Sequence, residues 1–162
     1  MSNCVFCRIV AKEIPAAVVY EDERTIAFMD AGQVNPGHLL VAAKAHVENL
    51  YELDHDQAGA LLRTAARVAR AIRAAFRPQG LSVYQANGKA AWQTVFHYHR
   101  HLLPRHEGDG MMLSWPAKNP PRTQLSLPGR VAESAAEPRL DLVARRRMVL
   151  RSALRDFDRA HQ

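Results

Sequence analysis

Three histidines stand at alternate positions in the stretch Gln93-Thr94-Val95-Phe96-His97-Tyr98-His99-Arg100-His101-Leu102-Leu103-Pro104-Arg105. Val95, Phe96 and Tyr98, before and between them, favour an extended chain. Side chains alternate faces along a strand, so His97, His99 and His101 are expected on one side, neighbours roughly 6–7 Å apart. Three imidazoles in a row are costly to bury without partners. The array therefore asks for an anion, a metal ion or both. Imidazole suits zinc, copper, iron and nickel. It also suits phosphate chemistry, with one ring as nucleophile and the others as donors. A second constellation is the pair Cys4 and Cys7, the only cysteines in the chain. No secretory signal is expected, because the N-terminus has neither a basic segment nor an apolar run. The two thiols therefore read as metal or redox groups rather than a structural disulfide.

The elements that must position these groups follow from the apolar pattern. A short helix is expected over 4–11, with Val5 and Ile9, and Phe6 and Val10, at helical offsets. Ala16–Tyr20 and Thr25–Met29 flank Glu21-Asp22-Glu23-Arg24 and read as a hairpin. Asn35-Pro36-Gly37 reads as a turn before a third strand, His38–Ala42. His46–Leu53 is expected as a short helix. The longest helix is expected from Asp56 to Phe76. Asp54 and Gln57 resemble a capping box at its start, and Pro78 and Gly80 stop it. Leu61, Leu62, Ala65, Val68, Ala69, Ile72 and Phe76 form its apolar stripe. Leu81–Gln85 is a fourth strand, Asn87-Gly88 opens a loop, and the histidine segment is the fifth strand. Gly108-Asp109-Gly110 is a turn, and 139–157 reads as a last helix. Hairpins with segregated helices make an α+β domain with a mostly antiparallel five-stranded sheet.

At 162 residues the chain is long enough for a real core. No run approaches the roughly 18–20 apolar residues that span a membrane, and a cytoplasmic protein is expected. The formal net charge is +6, unevenly spread. Beyond Pro121 there are nine arginines and no lysine, with five acids. A solvated helix face explains that tail better than a nucleic-acid-binding one.

His97-x-His99-x-His101-Leu102-Leu103 resembles the signature of the histidine triad family. Gln93-Thr94-Val95-Phe96, Pro104-Arg105, Cys4-Val5-Phe6-Cys7, Glu13-Ile14-Pro15, Tyr20-Glu21-Asp22, Ala27-Phe28-Met29-Asp30, Gly37-His38 and Lys44-Ala45-His46 match it too, in family order. The resemblance covers about residues 3 to 110, so the domain is placed at 1–110 and a C-terminal extension at 111–162. It implies a five-stranded sheet with helices, a homodimer, and hydrolysis of nucleotidyl phosphoanhydrides or phosphoramidates through a nucleotidyl-histidine.

By position, the resemblance makes His99 the nucleophile, and His101, His38 and Gln93 its catalytic partners. Phe6, Ile9, Phe28 and Leu40 become an apolar slot for the base, and Asp30 an acceptor for ribose hydroxyls. Asn87 and Thr94 become further nucleotide contacts. Cys4, Cys7, His46 and His97 become the ligands of a structural zinc ion. Two residues depart from the family pattern: Arg100 replaces an apolar residue, and Trp92 replaces a glycine. Rival readings are a zinc-dependent hydrolase using His97, His99 and His101 as ligands, and a nucleotide- or partner-binding module without turnover.

Overall fold

The computed structural model describes residues 3–112 and residue 117. The helix expected at 139–157 and the arginine-rich tail lie outside the described residues. The elements run α1 (Val5–Val10), β1 (Val18–Glu21), β2 (Thr25–Met29), β3 (Leu39–Ala43), α2 (His55–Phe76), β4 (Gly80–Tyr84) and β5 (His99–Arg105). The five strands form one sheet in the order β1-β2-β3-β5-β4. Every pairing is antiparallel.

The sheet separates two apolar clusters by strand alternation. Ala27, Leu39, Val41 and Leu102 face α2, where they pack on Leu61, Ala65, Val68 and Ile72. Ile26, Phe28, Leu40 and Ala42 face the other way and pack on Phe6 of α1. Cross-strand partners share a face, so the register Phe28–Leu40–His101–Tyr84 sets one row on the α1 side of the sheet. The α2 side carries Arg100, paired in register with Val41.

Asp54 caps α2 by accepting the Gln57 backbone N–H at 2.7 Å. Arg77 closes the helix in the left-handed conformation, φ 47°. Three local expectations are corrected. His46–Leu53 holds only a single tight turn at Leu50–Glu52, because three residues there are all that close a helical hydrogen bond. Leu62 and Phe76 lie 58 % and 42 % exposed, at the margins of the apolar stripe, while Ala60 and Thr64 are buried with the core. The fifth strand begins at His99 rather than His97. A bend at 95–97, with the His97 N–H donating to the Val95 carbonyl at 2.9 Å, delays it.

The turn before β3 depends on its glycine. Gly37 has φ +89°, and a Cβ placed there meets the Phe76 ring at 2.6 Å. Gly37→Ala is expected to lower stability by about 2–4 kcal/mol, from backbone strain and overpacking together. Urea denaturation of the two proteins measures this directly.

Candidate active site and metal cluster

The bend at 95–97 decides what each histidine does. His97 is fully buried, and its Nε2 faces the Ala43 carbonyl at 2.7 Å. That carbonyl can only accept, so Nε2 carries the proton and Nδ1 presents its lone pair. This lone pair points into a cluster. Cys4 Sγ lies 3.4 Å away, Cys7 Sγ 3.5 Å and His46 Nδ1 3.3 Å. Cys7 Sγ lies 3.2 Å from His46 Nδ1. A tetrahedral zinc ion with nitrogen and sulfur ligands gives ligand–ligand edges of about 3.3–3.8 Å. Two thiols and two imidazole nitrogens at these spacings therefore fit a structural zinc ion. The Ala43 carbonyl is the outer partner that such a histidine ligand needs.

His99 is held in the opposite tautomeric sense. Its Nδ1 donates to the His97 carbonyl at 2.6 Å, which leaves the lone pair on Nε2. Phe6 meets the His99 ring edge-on at 5.0 Å between centroids. Burial pushes the His99 proton affinity down, against the pull of the His97 carbonyl and the Asp30 charge. The ring is consequently neutral near pH 7, as a nucleophile must be.

His38 and His101 form the third part. The Val34 N–H approaches His38 Nδ1 at 3.5 Å, which places the His38 proton on Nε2. That nitrogen donates to His101 Nδ1 at 3.0 Å. His101 then carries its own proton on Nε2 and can donate it. Asp30 Oδ2 stands 3.4 Å from His38 Nε2 and 3.5 Å from His101 Nδ1. Burial first, and then the nearby His99 and His38, push the His101 pKa down to about 4, although Asp30 opposes the shift. The His101–Asp30 approach is therefore not an ion pair at neutral pH.

A stability prediction follows from that pKa. The unfolded chain takes up a proton at His101 near pH 6.5, whereas the folded chain takes it up only near pH 4. Below 6.5 the unfolded state binds more protons, so stability is full above that pH and falls as pH drops towards 4. The loss from this residue is on the order of 3 kcal/mol. Denaturation midpoints measured from pH 7.5 to 4.5 check it, and His101→Gln should flatten the curve.

His99 and His101 border a cavity of about 540 Å3. Phe6, Ile9, Phe28 and Leu40 form its apolar walls, and Asp30, Thr94, His99 and His101 give it polar edges. Val95, Pro15 and Ala16 also line it. No spacing signal marks them, because they arrive from separate loops. Tyr84 was likewise invisible in the sequence; its ring lies 6.1 Å from His101 because β4 pairs with β5 in that register.

Three of the predicted catalytic and nucleotide-binding residues are not among those lining the cavity: Gln93, Asn87 and His38, the last of which reaches it only through His101. The Gln93 amide accepts from the Gly88 N–H at 2.6 Å and donates to the Glu48 and Val95 carbonyls at 2.6 and 3.2 Å. Asn87 accepts from the Leu50 N–H at 2.8 Å and exchanges hydrogen bonds with Gln85. Both brace the loop that leads into the histidine segment.

Among the described residues Arg100 has no acidic partner. Its Nε donates to the Tyr98 hydroxyl at 2.7 Å on the α2 side of the sheet. Trp92 is 83 % exposed with φ +66°, a conformation that glycine adopts without strain. The three triad rings do not converge on one point. Among the described residues the groups with metal-binding spacing are Cys4–Cys7–His46–His97 and Asp30–His38–His101.

A HIT domain model matches residues 11–108. The chain belongs to the HIT domain family. It is 48 % identical over 114 residues to Protein hit of Bacillus subtilis, a match spanning 70 % of this chain and 79 % of that one. It is 34 % identical over 116 residues to adenosine 5'-monophosphoramidase hnt1 of Schizosaccharomyces pombe, spanning 71 % and 84 % of the two chains. Among solved structures, a zinc-bound histidine triad family protein from Mycobacterium smegmatis superposes with a TM-score of 0.65 at 36 % identity. That match covers 71 % of this chain and 84 % of the other. The five-stranded antiparallel sheet, with one long helix and short ones, is the fold of these relatives. No helix among the described residues is long and apolar enough to cross a membrane.

Proposed function

We propose that this protein is a nucleotidyl hydrolase of the CxxC-bearing bacterial type, acting in the cytoplasm on phosphoanhydride or phosphoramidate bonds of nucleotides. The observation that carries this reading is the His99 tautomer. With Nδ1–H tied to the His97 carbonyl, the Nε2 lone pair belongs to a neutral ring bordering a cavity with apolar walls and a carboxylate. That combination suits a nucleoside monophosphate unit: a base between Phe6, Ile9, Phe28 and Leu40, a ribose at Asp30, and phosphorus beside His99.

In the first step, His99 Nε2 forms a bond to phosphorus as the bond to the leaving group breaks. The leaving amine or phosphate departs, protonated as needed from water. In the second step, water attacks phosphorus and gives a proton to solvent, the P–N bond breaks, and the electron pair returns to His99 Nε2. The product is a nucleoside monophosphate. Splitting one displacement into two lowers the barrier of each. His101 Nε2–H donates to a phosphoryl oxygen, and His38 holds His101 in that tautomer. Thr94 contributes from the cavity edge. Gln93 and Asn87 act by bracing the loop.

Cys4, Cys7, His46 and His97 hold zinc in this reading, and the ion clips α1 to the segment that carries His99. Residues 1–110 form the catalytic domain and 111–162 an extension. A homodimer is part of the proposal. The sheet ends on β1 and β4, whose outer edges have no strand partner among the described residues, and a second copy would cover one of them. The named monophosphoramidase relative supports the reaction class. The test is release of adenosine monophosphate from adenosine phosphoramidate and from diadenosine tetraphosphate by the wild-type protein. Release from either compound supports the reading, and the better of the two ranks the leaving group. Turnover of neither would sink it.

A further inference from the structure

The histidine cavity is not the only concave surface. A groove of about 610 Å3 lies between the β1–β2 hairpin and α2, on the sheet face opposite the histidines. Arg24, Arg63, Arg67 and Arg70 line it, against only Asp22 and Glu23 among acids.

Arg63, Arg67 and Arg70 stand four and three residues apart, which makes them neighbours on one helical stripe. Like charges at those spacings oppose helix formation. The only acid within α2 is Asp56, in its first turn. Of the two carboxylates that line the groove, Asp22 is already engaged. Asp22 accepts the backbone N–H groups of Arg24 and Thr25 at 2.9 and 2.7 Å and the Tyr20 hydroxyl at 3.2 Å. Among the described residues neither Arg63 nor Arg70 has an ion-pair partner, and Arg24 reaches exposed Asp56 only at 3.7 Å. Among the described residues the groove is thus a concave surface with four guanidinium groups against two carboxylates.

Spacing and shape select the anion. Along the helix axis Arg63 and Arg67 are about 6 Å apart, and Arg67 and Arg70 about 4.5 Å. Each guanidinium can offer two parallel N–H donors to phosphate oxygens. The Arg67 guanidinium sits over the Tyr20 ring, 5.0 Å from its centroid, and so covers the aromatic face that a base would need. We propose that this groove binds a linear polyphosphate chain of three or more phosphates, held through Arg63, Arg67 and Arg70 without recognition of a base. The site is independent of the hydrolase reading.

Calorimetric titration of the full-length, zinc-loaded protein with inorganic tripolyphosphate tests this, run with adenosine monophosphate present to occupy the histidine cavity. The expected result is binding that weakens at least tenfold in R67E/R70E, and less in R67K/R70K, with hydrolysis unchanged in both. Reversal of tail arginines in R145E/R146E/R147E should leave the affinity as in the wild type. Melting curves of each variant separate lost binding from lost folding, and R67A/R70A serves if the reversed pair does not fold. The proposal is overturned if the groove variants bind tripolyphosphate as the wild type does, if the tail variant loses it, or if the wild type shows none in 0.1 M salt. ATP binding more tightly than tripolyphosphate through the same arginines would refute the absence of base recognition.

Discussion

Replacing His99 by alanine is expected to reduce monophosphate release by at least about a thousandfold, equivalent to about 4 kcal/mol of barrier. The size follows from the role. A residue that only holds substrate loses a few-fold, whereas loss of the nucleophile removes the covalent route entirely. The fold should tolerate the change. The His99 ring contributes one hydrogen bond, to the His97 carbonyl, and edge contacts with Phe6 and His101. His101→Ala should cost less, about 10–100-fold, because it removes a donor to charge and leaves the nucleophile in place. Single-turnover measurements with adenosine phosphoramidate check both. Trapping of a nucleotidyl-protein adduct in the wild type, and its loss in His99→Ala, would identify the bond that forms. A His99→Ala protein that still turns over within tenfold of the wild type would exclude His99 as the nucleophile.

Loss of a ligand from the proposed zinc cluster has the second largest expected effect, and it falls on stability before chemistry. Cys7→Ser removes a ligand whose sulfur lies 3.2 Å from His46 Nδ1 and 3.5 Å from His97 Nδ1. A ligand present at a thousand times its dissociation constant stabilises the native state by about 4 kcal/mol. For a chain of this size that corresponds to a melting temperature lower by on the order of 10 °C. Prolonged chelation should do the same to the wild type. Metal analysis is expected to find one zinc per chain in the wild type and much less in Cys7→Ser. Turnover at low temperature should survive brief chelation, because His99 is tied to the His97 backbone carbonyl rather than to its ring. Immediate loss of turnover, with the melting temperature unchanged, would instead place the metal in the reaction itself.

Much of the framework is legible in the amino-acid sequence. The apolar runs Thr25–Met29 and His38–Ala42 mark strands, and the α2 stripe and its Asp54 cap mark a helix, because short apolar runs and helical periodicity are written in neighbouring residues. The local pattern fails where tertiary packing overrides it. Strict alternation places His97 beside His99, yet the chain bends there so that the Tyr98 N–H donates to the Val47 carbonyl at 2.6 Å and the His97 ring turns to the cysteines. Leu62 lies at the edge of the stripe because, one residue on from buried Leu61, it is turned about 100° away from the side that meets the sheet. Gln93 and Asn87 carry the right groups in the right segment, but which way an amide faces depends on the loop that closes around it.

The amino-acid sequence by itself determined the inventory of chemistry: three alternating histidines, a CxxC pair, a helix with its cap, and strands of known period. These are local properties, written in neighbouring residues. Only the tertiary structure decided how that inventory divides. It gave His97 to the cysteines, His99 to the cavity and His101 to His38. It also set Tyr84 beside His101 and turned the α2 arginines towards the hairpin. The physical reason is that hydrogen-bond partners and strand register join residues far apart in the chain. Ala43 chooses the tautomer of His97 across 54 positions, and no local pattern can encode that choice.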